Sequence, residues 1–464
     1  MLGLFGALAV SAFTATDEVG AALSTSPTAR GAGLIAYAGP DGRIRIVRAD
    51  GTGERTLSAG GGSYSWPTWA PDGRRVAYSG VLAGSAGAAQ TLELYLGDIR
   101  GGPATVVLTN PPGAGPILPE VPYYVLWSPG GDRMAIIANA AGGLSLFVHR
   151  PGSPSPPAPI LRTSPLYAAW SGDARFLLVH GDARHYLVAD EPPSDPKLLP
   201  EASARYRAPA WLPGTARATF VAADEAGAHR LVTRDLTTED DPVPWVAVPR
   251  PAAFLWSPDG QVLAVAQEDA EGRGYGGVTF YSAEGTRLSG GLERPVLAFF
   301  WSPDGGSLAC VIPGDARGAL RWLVLRIETG ETRRLAEFIP TPEQLTLLRY
   351  FDQFAYSHGP WSPDGRALVF AGRLATPDDR APFSDTASDG VFVQRVAVGA
   401  QPRRVGSGRM GVWSPRQPAR RGASPGPAVP GPDRLAGDRD AGADRADPGR
   451  GGARAGPEPG AGGP

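Results

Sequence analysis

The side chains able to carry acid–base, nucleophilic or metal chemistry are few in this chain of 464 residues. Its five histidines, His149, His180, His185, His229 and His358, show neither a His-Glu-x-x-His pattern nor a zinc-type spacing with cysteine. His180 and His185 bracket the short segment Gly-Asp-Ala-Arg and read as solvated turn residues rather than as ligands of a shared metal. The single cysteine, Cys310, lies in the apolar run Ser307-Leu-Ala-Cys-Val-Ile312 and reads as a small buried strand residue. One Gly-x-Ser-x-Gly occurs, Gly422-Ala-Ser424-Pro-Gly426, without the strand–turn–helix setting a nucleophile elbow needs. No catalytic set, metal site or cofactor is expected from these patterns. A denser group of polar and aromatic side chains gathers at Tyr350, Asp352, Gln353, Tyr356, Ser357 and His358, and this is the candidate ligand-binding site.

What must position that group is a repeat. Trp69-Ala-Pro-Asp-Gly73 recurs as Trp256-Ser-Pro-Asp-Gly260, Trp301-Ser-Pro-Asp-Gly305 and Trp361-Ser-Pro-Asp-Gly365. Degenerate copies begin at Trp127, Trp170, Trp211 and Trp413. Each copy has an apolar run ending in tryptophan, a turn, and a second apolar run such as Val262-Leu-Ala-Val265, which is a hairpin signature. Proline sets φ at the second turn position, aspartate suits the third, and glycine takes the left-handed conformation that follows. Two further strand-like runs follow in most copies, for example Leu92–Leu96 and Ala104–Leu108. Four strands per repeat is the blade of a β-propeller.

The chain ends supply one more blade. Leu34–Tyr37, Arg43–Val47 and Arg55–Leu57 precede the first tryptophan copy and lack an inner partner, while Arg409–Trp413 follows the seventh blade and lacks outer ones. The expected fold is therefore all-β, an eight-bladed propeller over residues 34–415 closed by a mixed N- and C-terminal blade. The eight tryptophans should pack between neighbouring blades. Burying about 150–250 Å² each, at about 25 cal/mol per Å², each contributes about 4–6 kcal/mol before chain entropy is subtracted.

The motif resembles the repeat of the TolB-like, WD-like bacterial propeller family, and the resemblance spans Leu34 to Pro415. It implies a propeller fold. TolB itself carries an additional α/β domain for which this sequence has no counterpart, so TolB's own partner is not implied.

Two insertions mark one mouth of the expected ring. Between Phe338 and Pro360, Thr341 should cap a helix with Pro342 at its first position and Gln344 completing a capping box. Leu345, Leu348 and Phe351 or Asp352 fall at helical spacing along it. Gly372–Gly390 joins the second and third strands of the next blade and should lie beside it. Alanine at Asp352 and His358 is expected to leave folding intact and to abolish ligand capture. The alternative is that the helix merely caps the ring.

The remaining segments bear on localisation. Met1–Phe13 is an uncharged apolar run of signal-peptide length, too short to span a bilayer, so residues 1–33 read as signal peptide and linker and the protein as periplasmic or secreted. Without export it is cytoplasmic. Residues 416–464, rich in Pro, Gly, Arg and Ala, cannot bury enough apolar surface to fold and read as a disordered tail. Their abrupt start, where the repeat's Asp-Gly is due, reads as a frameshift. With 44 basic against 46 acidic residues there is no electrostatic footprint for nucleic acid. The expected function is that of a monomeric, non-catalytic binding propeller of the bacterial cell envelope, recognising a protein, peptide or glycan. A hydrolase or lyase site in the funnel, and an accessory or sensor subunit of a membrane transporter, are the alternatives.

Overall fold

The computed structural model describes residues 33–415 apart from 83–90, 111–122, 141–142, 154–156, 190–194, 204–205, 225, 239, 273 and 377–388. Residues 1–32 with the apolar run Met1–Phe13, the tail 416–464 and most of the Gly372–Gly390 insertion thus lie outside the described residues.

Small antiparallel sheets make up the fold, each built outward from one repeat tryptophan. The Trp69 sheet runs Gly62–Trp69, Arg75–Leu82, Thr91–Asp98, Thr105–Asn110. The Trp127 sheet runs Tyr124–Trp127, Met134–Ala140, Gly143–His149, Pro159–Arg162. Leu166–Trp170, Phe176–Gly181, Arg184–Ala189 and Lys197–Leu198 form the Trp170 sheet, and Ala210–Trp211, Arg217–Ala223, His229–Asp235 and Val243–Ala247 the Trp211 sheet. These are the blades of a β-propeller: alternating residues of each strand pack against the neighbouring sheets, and the tryptophan-bearing strands face a common axis.

Three sheets depart from the plain four-strand repeat. The Trp256 sheet has three strands, Ala252–Trp256, Val262–Gln267 and Thr279–Ser282, and isolated bridges such as Val278↔Leu292 and Tyr281↔Arg287 stand where a fourth is expected. The Trp301 and Trp361 repeats share one seven-stranded sheet, because Thr332–Pro340 continues past its partner Leu320–Arg326 to pair with Ala367–Leu374 (Phe338↔Leu374, Ile339↔Arg373, Pro340↔Gly372). The last sheet is ordered Arg55–Thr56, Ile44–Arg48, Leu34–Ala38, Met410–Trp413, with Ile35 opposite Trp413 and Ala38 opposite Met410. Both ends of the described chain meet in it.

The turn after each tryptophan is fixed locally. In Trp256-Ser-Pro-Asp-Gly, the Gly260 amide donates to Ser257 O (2.9 Å) with Gly260 at φ 71°. Ser257 Oγ donates to Asp259 Oδ1 and accepts from the Val262 amide at 3.0 Å. Serine, aspartate and glycine thus satisfy the backbone groups that a tight turn would otherwise leave open.

The indoles stitch sheet to sheet. Nε1 of Trp69, Trp170, Trp211, Trp301 and Trp361 donates to the carbonyl of Val412, Leu126, Ala169, Leu255 and Phe300 respectively, at 2.8–3.2 Å. Each acceptor is the residue just before the tryptophan of the neighbouring sheet. Trp256 reaches Thr219 Oγ1 instead (3.0 Å). Trp127 and Trp413 have no acceptor among the described residues; their seams are held by packing, with Arg75 over the Trp127 ring at 5.1 Å and Ile35, Val369, Val391 and Trp413 in one apolar cluster.

Candidate binding funnel

The long connection after Pro340 does not stay at the surface. Thr341 caps helix α1 (Pro342–Arg349) by accepting from the Gln344 amide at 3.1 Å, and a short helix α2 (Phe351–Phe354) follows. The capping box is not completed: Gln344 Oε1 instead accepts from the Ala371 amide at 2.9 Å. From there the chain threads the axis. Thr341 Oγ1 donates to Arg409 O, where the Met410–Trp413 strand begins. Phe351 packs on Phe299 (centroids 4.6 Å apart) and Phe354 on Trp66 (5.0 Å) and Tyr124 (4.7 Å). Residues Ala355–Ser357 and Gly359 then emerge among the tryptophans, at the opposite ends of those strands.

The polar residues of this segment meet the inner edges of the sheets, whose backbone groups would otherwise face an empty channel. Gln353 makes a two-point contact with the Leu166–Trp170 strand, its Oε1 accepting from Ala168 N (3.0 Å) and its Nε2 donating to Ala168 O (3.1 Å). Asp352 Oδ2 accepts from the Ala208 amide (3.4 Å) and lies 3.5 Å from Arg207 Nε. Burial raises the Asp352 carboxyl above the ordinary range, against the opposing pull of Arg207. His358 sits between Ser357 Oγ (2.8 Å from Nδ1) and Thr68 Oγ1 (3.3 Å from Nε2), and burial lowers it to about 3. Tyr124 donates to Gln353 O.

The predicted group is therefore brought together but divided in exposure. Asp352, Gln353 and His358 are buried, at 2%, 5% and 3% exposure, whereas Tyr350 and Tyr356 are exposed. This corrects the expectation that alanine at Asp352 and His358 leaves folding intact, since both side chains face partners on the sheets. Tyr350 lies under Arg207 (5.3 Å from guanidinium to ring) at the mouth where the segment enters. Tyr356 and Ser357 line the other mouth.

That second mouth is a funnel of about 640 Å³. All eight repeat tryptophans line it: Trp69, Trp127, Trp170, Trp211, Trp256, Trp301, Trp361 and Trp413. Prolines of the following turns form its rim, and none of the described lining residues is charged. The tryptophans are thus core first: Trp69, Trp211, Trp256, Trp361 and Trp413 are buried and show the cavity only an edge, while Trp127, Trp170 and Trp301 are partly exposed.

Sequence reasoning missed Trp66, Arg207 and Tyr124 as parts of this assembly. Trp66 takes φ 55°, uncommon for a bulky residue, at an irregularity between Ser65 and Thr68 that turns its ring toward the axis. The signal was the proline at 67, a residue that marks bulges within strands. His180 and His185 are also not solvated turn residues. They face each other across paired strands and are buried, His180 Nε2 lying 2.7 Å from Ser203 Oγ and His185 Nε2 2.7 Å from Tyr206 Oη. Burial lowers both, His185 to about 3. Among the described residues no group of three or more His, Cys, Asp and Glu is placed to hold a metal, and no helix is long and apolar enough to cross a membrane.

No protein-family model matches the chain, and no curated protein does. Solved structures similar to it include a eukaryotic initiation factor, at 12% identity over 83% of this chain and 99% of that one with a TM-score of 0.52. They also include TolB from Acinetobacter baumannii (16% identity, 74% and 83% covered, TM-score 0.34). A third is the β-propeller domain of the Trilobed protease from Pyrococcus furiosus (11% identity, 74% and 97% covered, TM-score 0.42). At such identities the likeness is one of fold.

Proposed function

We propose that residues 34–415 form a closed, eight-bladed propeller of the TolB-like kind that works as a non-catalytic binding protein, taking its ligand in the tryptophan funnel. The observation that carries this reading is the funnel itself. Indoles and prolines wall it, the threaded segment floors it, and the exposed Tyr356 stands at its base. A concave, mostly apolar cavity of this size with a few polar groups has the character of a binding pocket. The threaded segment argues against a conduit, because Phe351, Gln353 and Phe354 occupy the axis between the two mouths. The pairing of Leu34–Ala38 with Met410–Trp413 supports closure, since the last strand becomes the inner edge of the first sheet. The apolar run at the start of the chain supports a place in the bacterial cell envelope, and the protein is read as a monomer.

The test is a panel of peptides and oligosaccharides titrated against the wild type and Tyr356→Lys, with tryptophan fluorescence as the readout. Affinity lost in the variant for at least one ligand supports the funnel. Ligands bound equally by both proteins place recognition elsewhere and refute it.

A further inference from the structure

We infer that the funnel's ligand is a short, uncharged, proline-rich peptide; this rests on the binding role proposed for the same cavity. Among the described residues the wall carries no charged side chain, so a charged ligand would lose its hydration there without gaining a counter-charge. The wall is also poor in side-chain hydrogen-bonding groups. Six of the eight indole N–H groups are spent between sheets, on Val412, Leu126, Ala169, Thr219, Leu255 and Phe300. Those of Trp127 and Trp413 are buried away from the surface.

The hydroxyls that remain are few. Ser414 Oγ accepts from the Leu34 amide, and Ser357 Oγ is held by His358, Tyr124 and the Phe354 carbonyl. Tyr356, 56% exposed, is left with a hydroxyl that has no partner among the described residues. A glycan, or an ordinary peptide with an N–H at every residue, would give up many hydrogen bonds to water here and regain few. Proline has no N–H to satisfy. A polyproline helix presents apolar rings and bare carbonyls on a backbone already ordered before binding. Aromatic walls that grip the rings, with a hydroxyl that donates to a carbonyl, are what such a segment needs. The funnel supplies the hydroxyl and an apolar wall of indole edges, of the partly exposed Trp127, Trp170 and Trp301, and of proline rings, and its size matches a few residues rather than a folded domain.

The experiment titrates acetyl-hexaproline amide, the same peptide with alternate lysines, a neutral oligosaccharide and the neutral dye Nile red against the full chain. It is repeated with Tyr356→Lys, Tyr356→Phe and Val398→Lys. Val398 is 88% exposed and outside the funnel, and matching urea midpoints show that each variant is folded. Saturable one-site binding of hexaproline is expected, weaker by about tenfold or more in Tyr356→Lys, by a few-fold in Tyr356→Phe, and unchanged in Val398→Lys. The lysine-bearing peptide should bind about tenfold or more weakly than hexaproline. Absence of saturable hexaproline binding, equal binding by Tyr356→Lys, or equal binding of the charged peptide overturns the inference. If the oligosaccharide or the dye depends on Tyr356 while hexaproline does not bind, the funnel stands as a site with the wrong ligand class. If nothing depends on Tyr356, both readings fall.

Discussion

Replacing Gln353 with leucine isolates what the threaded segment does for the fold. The side chain is 5% exposed and joined to both the amide and the carbonyl of Ala168. Leucine has similar bulk and no polar atoms, so the axis stays filled while two backbone groups on an inner strand lose their partners. Each buried group left unpaired costs about 1–3 kcal/mol, or about 2–6 kcal/mol for the pair. The apolar side chain returns about 1–2 kcal/mol of that, which leaves a net loss of about 0–5 kcal/mol, centred near 2.5 kcal/mol. Urea unfolding at neutral pH measures it as a lower midpoint at unchanged slope. Amide exchange at Ala168 should quicken in the variant, a local signature that general destabilisation would not single out. Tyr356→Ser, three residues along and exposed, is the reference and should stay within about 0.5 kcal/mol of the wild type. If Gln353→Leu also stays within that margin, the amide is not sealing the inner edge, and the segment rests in the channel without stabilising it.

The other expectations concern stability around the same axis. His358 is held neutral, with its folded value lowered to about 3 from an unfolded value near 6.5. Its stabilisation is therefore complete above about pH 6.5 and lost progressively as pH falls toward 3, at about 1.4 kcal/mol per pH unit. In urea unfolding between pH 7 and 4.5, His358→Gln should be less stable than the wild type at neutral pH and lose less as the medium is acidified; parallel acid limbs would contradict the assignment. Trp301→Phe leaves the Leu255 carbonyl without its donor, whereas Trp413→Phe breaks no hydrogen bond. The first should cost about 1–3 kcal/mol more than the second in the same assay, and equal costs would show that the indole links contribute nothing. At Gly372, φ is +154° and a Cβ would come within 2.2 Å of Ile339 O. Gly372→Ala should therefore lower the urea midpoint by at least about 2 kcal/mol through strain where Pro340 pairs, and wild-type stability would refute that crowding.

The blades were legible in the sequence because their causes are local. Trp256-Ser-Pro-Asp-Gly260 carries within five residues the inner-strand anchor, the fixed φ, the side-chain acceptor and the left-handed glycine. No distant partner is needed to close that turn. The course of Thr341–His358 is a different kind of fact. A helix start at Thr341 follows from capping chemistry, but whether the helix lies across a mouth or enters the channel depends on what the inner strands leave unsatisfied, and those strands come from other repeats. Leu347, Leu348, Phe351 and Phe354 gave no clue, since at helical spacing they fall within about 120°, the width of an ordinary one-sided stripe. The polar residues between them look like a ligand site by composition alone, and in the fold most of them already have a ligand, the backbone of the propeller itself. What the segment leaves open is Tyr356, one phenol at the base of an uncharged aromatic wall, and this remainder directs the search toward a ligand that needs little more than surface to stack on.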